Sequence, residues 1–193
     1  MSKFPPNYPW YQTGKIEDFC EQDLSGGQGT EKIRILQQGY LLFDCPVIDI
    51  SSNYVIPDKL KDEDITDIEV NIEKFDLMIM TQSCDLANDK TEQVLHCAFF
   101  PASTYSKNEV KEIKSNRRTS YCLIEASDTA NIDLLPAFER QVIDFRSVYT
   151  LPKQYVLNFI GDKTISRLLP PYREYVAQAF ARFFMRVGLP KDL

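Results

Sequence analysis

DLMIMTQSCDLAND, residues 76–89, is the stretch on which the reading of the fold turns. An apolar run, Leu77 to Met80, ends abruptly in Thr81-Gln82-Ser83-Cys84-Asp85, and the turn formers Asn88 and Asp89 follow. A short apolar run bounded by turn residues reads as a buried strand. The next run, Val94 to Phe100, can return beside it. A hairpin turning near residues 86 and 87 sets His96 opposite about Leu77. On that returning strand Val94, His96 and Ala98 share one face, and Leu95, Cys97 and Phe99 share the other.

Working outward, Lys32 to Leu36, Tyr40 to Phe43 and Val47 to Ile50 read as short strands, punctuated by Gly39 and by Asp44-Cys45-Pro46. Pro57 to Asp64 is a charged loop. Ile65 to Phe75 alternates, with Ile68, Val70 and Ile72 on one side and Asp67, Glu69, Asn71 and Glu73 on the other, as in a half-exposed strand. Ser120 to Ala126 and Gln141 to Leu151 are further strands. Within the latter, Asp144 and Arg146 share a face and suit an ion pair. Lys107 to Lys114 fits a short solvated helix, and Pro152 to Phe159 a helical turn.

The C-terminal element is the clearest. Tyr172, Val176, Ala179, Phe180, Phe183, Phe184 and Val187 recur at three- and four-residue intervals, which makes one apolar stripe along a helix from Pro171 to Val187. Pro171 suits its first turn, Gly188 its C′ position, and Pro190 seals it. About eight short strands and one good helix define an α+β fold. The expected form is a small, strongly bent antiparallel sheet or partial barrel, closed by the amphipathic helix. Helices do not alternate with strands, which excludes a doubly wound fold. Residues 1–30, with Phe4, Pro5, Pro6, Tyr8, Pro9, Trp10 and Tyr11, read as an irregular aromatic and proline-rich arm, and 31–193 as a single α+β domain. Ser25-Gly26-Gly27-Gln28-Gly29-Thr30 lacks the Gly-Lys-Ser/Thr of a phosphate loop.

The net charge of −6 is unevenly placed: residues 1–138 hold 23 acidic and 13 basic side chains, residues 139–193 hold 5 and 9. An acidic chain repels phosphate backbones, which leaves for nucleic acid only a local basic face near Arg173, Arg182 and Arg186. The start, MSKFPPNYPW, lacks the apolar core of a signal peptide, and no apolar run reaches the roughly 18 residues of a membrane span. With five irregularly spaced cysteines, the expectation is a cytoplasmic protein with reduced thiols, no membrane association and no cofactor.

Cys84 sits where a nucleophile could: at a strand end, before a turn whose N–H groups could face an oxyanion, with Gln82 as a side-chain donor and Asp85, Asp89 or Glu92 as a base. His96, the single histidine, lies too far along the hairpin to form a dyad. No cysteine or histidine pair has chelating spacing, so no metal is expected. The competing reading is structural. Ser83 or Asp85 caps the turn's N–H groups, and the Cys84 thiol turns inward to fill a small gap. Cys45, Cys97 and Cys122 read as core, and His96 as a hydrogen-bonded histidine of the sheet.

Thr81-Gln82-Ser83-Cys84-Asp85 after an apolar strand, with Pro171-Tyr172-Arg173 opening a helix that ends Arg186-Val187-Gly188-Leu189-Pro190, resembles a pattern found in bacterial proteins without an established activity. The resemblance implies no role for any residue. Residues 39–47, GYLLFDCPV, are similar to the first strand of SH3-like barrels. The leading expectation is a non-enzymatic interaction or regulatory component of a bacterial cytosolic assembly, engaging another protein through surfaces that include Trp10. Behind it stand a cysteine-dependent hydrolase or transferase using Cys84, Asp85 and Gln82, and a nucleic-acid accessory protein using Arg173, Arg182 and Arg186.

Overall fold

The computed structural model describes residues 10–19, 35–50, 70–126 and 139–185. The order is β1 (Tyr11–Gly14), β2 (Tyr40–Ile50), β3 (Val70–Ile79), α1 (Ser83–Ala87), β4 (Gln93–Pro101), α2 (Lys107–Lys114), β5 (Tyr121–Ile124), β6 (Gln141–Pro152), α3 (Lys153–Ile160), β7 (Ile165–Leu168) and α4 (Tyr172–Phe184). Short 3-10 turns lie at Ile16–Phe19 and Ala102–Thr104. The α+β class therefore holds. The seven strands form one antiparallel sheet ordered β1-β7-β2-β3-β4-β6-β5. No ladder joins β1 to β5 among the described residues, so the sheet is open rather than barrel-closed. A side chain bridges its two ends instead: the Tyr11 hydroxyl donates to the Glu125 carbonyl at 2.5 Å.

Both faces of the sheet are covered. On one, Leu42, Cys45, Val47, Leu77, Ile79, Val94 and Ala98 pack with Leu86 of α1, Val156 and Ile160 of α3, and Ile16 and Phe19 of the first 3-10 turn. On the other, Leu41, Met78, Cys97, Phe99, Cys122 and Phe145 pack under Val176, Ala179, Phe180 and Phe183 of α4. The α4 stripe thus closes a β core, with Phe180 and Phe183 half-buried against Phe145. Phe184 lies beyond the contact and is exposed. The helix ends at Phe184, and Val187, Gly188 and Pro190 lie outside the described residues.

Several segments depart from the sequence expectation for identifiable reasons. Part of the supposed irregular arm is integrated: β1 pairs with β7, and Ile16 and Phe19 are core. Its remainder lies outside the described residues, as do the charged loop 57–64 and Lys32 to Arg34. The Asp44-Cys45-Pro46 interruption is a β-bulge inside one continuous strand. Phe43 and Asp44 together oppose Asp76, Asp44 takes φ 53°, and its N–H donates to the Asp76 carboxylate at 2.9 Å. Pro46 is tolerated because, among the described residues, only β3 pairs with that part of β2.

Residues 45–50 and 70–75 form a two-stranded ribbon. Its alternation is real, but the apolar side is the exposed one: Ile48 is 64% and Ile72 67% exposed, while Cys45, Val47 and Phe75 face the core. Gly39 is needed where it stands. Its φ is 86°, its N–H donates to Ile79, its carbonyl accepts from Leu168, and a Cβ would sit 3.1 Å from Arg173 Cγ.

Candidate binding cleft

The TQSCD corner comes first, because the sequence singled it out. The chain does not run directly into a hairpin there. The one-and-a-half-turn helix α1 intervenes, and β4 returns with His96 opposite Ile79 rather than Leu77. The polar residues before α1 lace neighbouring segments together. The Leu95 N–H donates to Thr81 Oγ1 at 2.7 Å, the Gln38 N–H to Ser83 Oγ at 3.0 Å, and Gln38 Nε2 to the Met80 carbonyl at 2.8 Å. Ser83 therefore satisfies a backbone N–H as expected, but one from the entry to β2. No side chain caps the N-terminal end of α1, where Asp85 pairs with Lys90 instead; at the other end the Asn88 side-chain amide donates to the Cys84 carbonyl at 2.6 Å. Lys153 of α3 donates to the Leu86 carbonyl and pairs with Asp89.

The Cys84 thiol is exposed, not turned inward: Leu86 is the α1 side chain that enters the core. Its sulfur lies 3.6 Å from Gln82 Oε1 and 3.8 Å from Asp85 Oδ1. The structure thus brings together the three residues expected around a nucleophile. Both neighbours present acceptor atoms to the S–H, however, so Gln82 does not stand as a donor there. His96 stays inside the sheet, fully buried; neither Nδ1 nor Nε2 makes a well-formed hydrogen bond, though backbone groups of Val94 and Tyr149 interact with its ring. Burial lowers its pKa to about 4, and backbone groups of Val94 and Tyr149 partly oppose the shift. Cys45, Cys97 and Cys122 are core, as expected, and burial pushes their thiols up to about 11, 12 and 12. No group of three or more potential metal ligands occurs among the described residues.

Among the described residues, the two candidate arginines of α4 do not converge. Arg173 and Arg182 are nine residues apart on α4, about two and a half turns, so they point to opposite sides. Arg173 is held by Glu174, and Arg182 donates to the Gln178 carbonyl. Arg186 lies outside the described residues. Asp144 and Arg146 do form the expected ion pair, with Nε at 2.9 Å and Nη2 at 2.8 Å from the carboxylate, and the guanidinium covers the Tyr121 ring. It fastens the irregular stretch of β6 where the β4 register shifts.

A cleft of about 280 Å³ opens where the two ends of the sheet approach each other. Its walls come from four distant parts of the chain: Trp10 before β1, Ile113 and Lys114 at the end of α2, Leu123 and Glu125 of β5 and its exit, and Pro171, Tyr172 and Tyr175 at the start of α4. Each wall is fixed. Trp10 stacks on Tyr172 with centroids 3.7 Å apart and planes 11° apart, and its carbonyl accepts from the Leu169 N–H. The Tyr175 hydroxyl donates to Asn116 Oδ1 at 3.0 Å, just past α2.

A capping box between Ser106 and Glu109 starts α2, and its buried Ile113 seats it beside β5. Glu125 is paired with Arg140 and accepts from Tyr11 through its carbonyl. Burial, with Glu125 beside it, raises the Tyr11 pKa, so this phenol stays protonated as donor. Trp10 was singled out in the sequence, but the seam was not. It forms only when β1, β5 and α4 meet, and spacing carries no sign of that.

No protein-family model matches the chain, and comparison with curated proteins finds no match.

Proposed function

We propose that the protein is an interaction module, a non-enzymatic component of a bacterial assembly, that grips a segment of another protein in the Trp10–Tyr172–Tyr175 cleft. The carrying observation is the cleft itself. A concave, largely apolar site with three aromatic side chains and two charges near them has the composition of a recognition pocket. Aromatic anchors dominate binding energy at protein interfaces. Their fixed positions here reduce the ordering cost on binding.

Selection of a displayed random peptide library on the folded protein tests this. Enriched peptides should bind the parent chain and lose binding to Tyr175→Ala, which leaves the core intact because Tyr175 is at the surface. A selection that yields no binder, or only binders indifferent to Tyr175→Ala, speaks against the cleft. The exposed Cys84 flanked by Gln82 and Asp85 supports a second reading, thiol-dependent hydrolysis or transfer. Cys84→Ala that leaves the binding of selected peptides unchanged separates the two.

A further inference from the structure

Resting on the reading of the cleft as a protein-binding site, we propose that its occupant is the C-terminal residue of a partner chain. The partner's aromatic side chain lies against Trp10 and Tyr175, and its terminal carboxylate sits on the Lys114 ammonium. Size sets the first half. About 280 Å³ is at the bottom of the range of ligand pockets, roughly 300–1,000 Å³, and holds one large side chain rather than a run of them. Charge sets the second half. The two charged residues of the lining are not equivalent. Glu125 is neutralised by Arg140, whereas Lys114 forms no ion pair among the described residues. The uncompensated charge at the rim is therefore positive, and it stands beside aromatic walls. An internal aromatic residue of a partner brings a ring and relies on an acidic neighbour for the charge. A chain terminus brings ring and carboxylate together at the separation of one residue.

Titration of the protein with acetyl-Gly-Gly-Phe and with its C-terminal amide, read through Trp10, the chain's single tryptophan, tests the proposal. The acid should bind saturably, and about fivefold tighter than the amide, the scale of one rim ion pair. Lys114→Gln should bring the acid down to the amide and leave the amide unchanged. Equal binding of acid and amide, or equal weakening of both by Lys114→Gln, overturns the terminus. If Tyr175→Ala still abolishes that binding, the cleft reading stands without it. Phenylpropionate binding as tightly as the peptide acid would assign the site to small aromatic acids and also overturns the proposal. So does a Trp10 signal unmoved by either peptide, in which case the library selection decides separately on the cleft.

Discussion

The Tyr11 hydroxyl donates to the Glu125 carbonyl, and with that one bond the two end strands of an open seven-stranded sheet are drawn together. One residue before Tyr11, Trp10 stacks on Tyr172, so the start of α4 lines the seam between the sheet's ends. The cleft is a consequence: a curled sheet left open, roofed by aromatic rings and not filled.

Tyr172→Ala should therefore do two things at once. It should cost about 1–3 kcal/mol in urea unfolding, and it should move the Trp10 emission to the red as the indole loses its stacked neighbour. A stability loss with no spectral change would place Trp10 away from Tyr172.

The exposed side of the ribbon and its core side should respond in opposite ways. Ile72→Thr should stay within about 0.5 kcal/mol of the parent, because Ile72 is mostly in solvent. Val47→Ala, on the other face, should cost about 1–2 kcal/mol, since Val47 is buried among Cys45, Phe75 and Leu77. Urea midpoints with matched slopes check both.

His96 gives the fold an acid-sensitive point. Its folded pKa, about 4, lies below the ordinary 6.5, so on acidification the unfolded chain takes up the proton first. This contribution is complete above about pH 6.5 and is lost as pH falls toward 4, by on the order of 3 kcal/mol in all. The parent should lose more stability than His96→Leu across that window, whatever the carboxylates common to both contribute. Parallel pH profiles would mean that His96 is not held neutral.

Cys84 should alkylate in the folded protein while Cys45, Cys97 and Cys122 wait for unfolding, a contrast that peptide mapping after iodoacetamide resolves cysteine by cysteine. Cys84→Ser should change stability by less than about 0.5 kcal/mol. Protection of Cys84 in the folded state would restore the inward-facing thiol that the sequence suggested.

Much of the architecture was legible in single stretches. Lys107 to Lys114 is a helix with the bounds its sequence suggests, because Ser106 and Glu109 cap it locally. The α4 stripe and the two faces of β4 follow from periodicity alone. What could not be read was whatever depends on partners distant in sequence. Thr81 and Ser83 look like turn formers of their own corner, yet they bond Leu95 and Gln38. Val70 and Ile72 alternate as a core-facing strand does, yet that part of β3 outruns β4, and among the described residues only β2 pairs with it. Polar Asp44 reads as a break, while a positive φ and the Asp76 carboxylate turn it into a bulge. The cleft joins residues more than 160 positions apart: the β1–β7 pairing and the Trp10–Tyr172 stack bring the chain start to α4, and Tyr11 closing on Glu125 adds the β5 wall.

The most direct test of the central claim is the accessibility of Trp10 to acrylamide, measured with and without a saturating peptide selected on the folded protein. If the cleft is the recognition site, the bound segment covers the indole, and quenching of the single tryptophan falls. Quenching that stays the same with the peptide fully bound would put the partner elsewhere on the molecule and contradict the account.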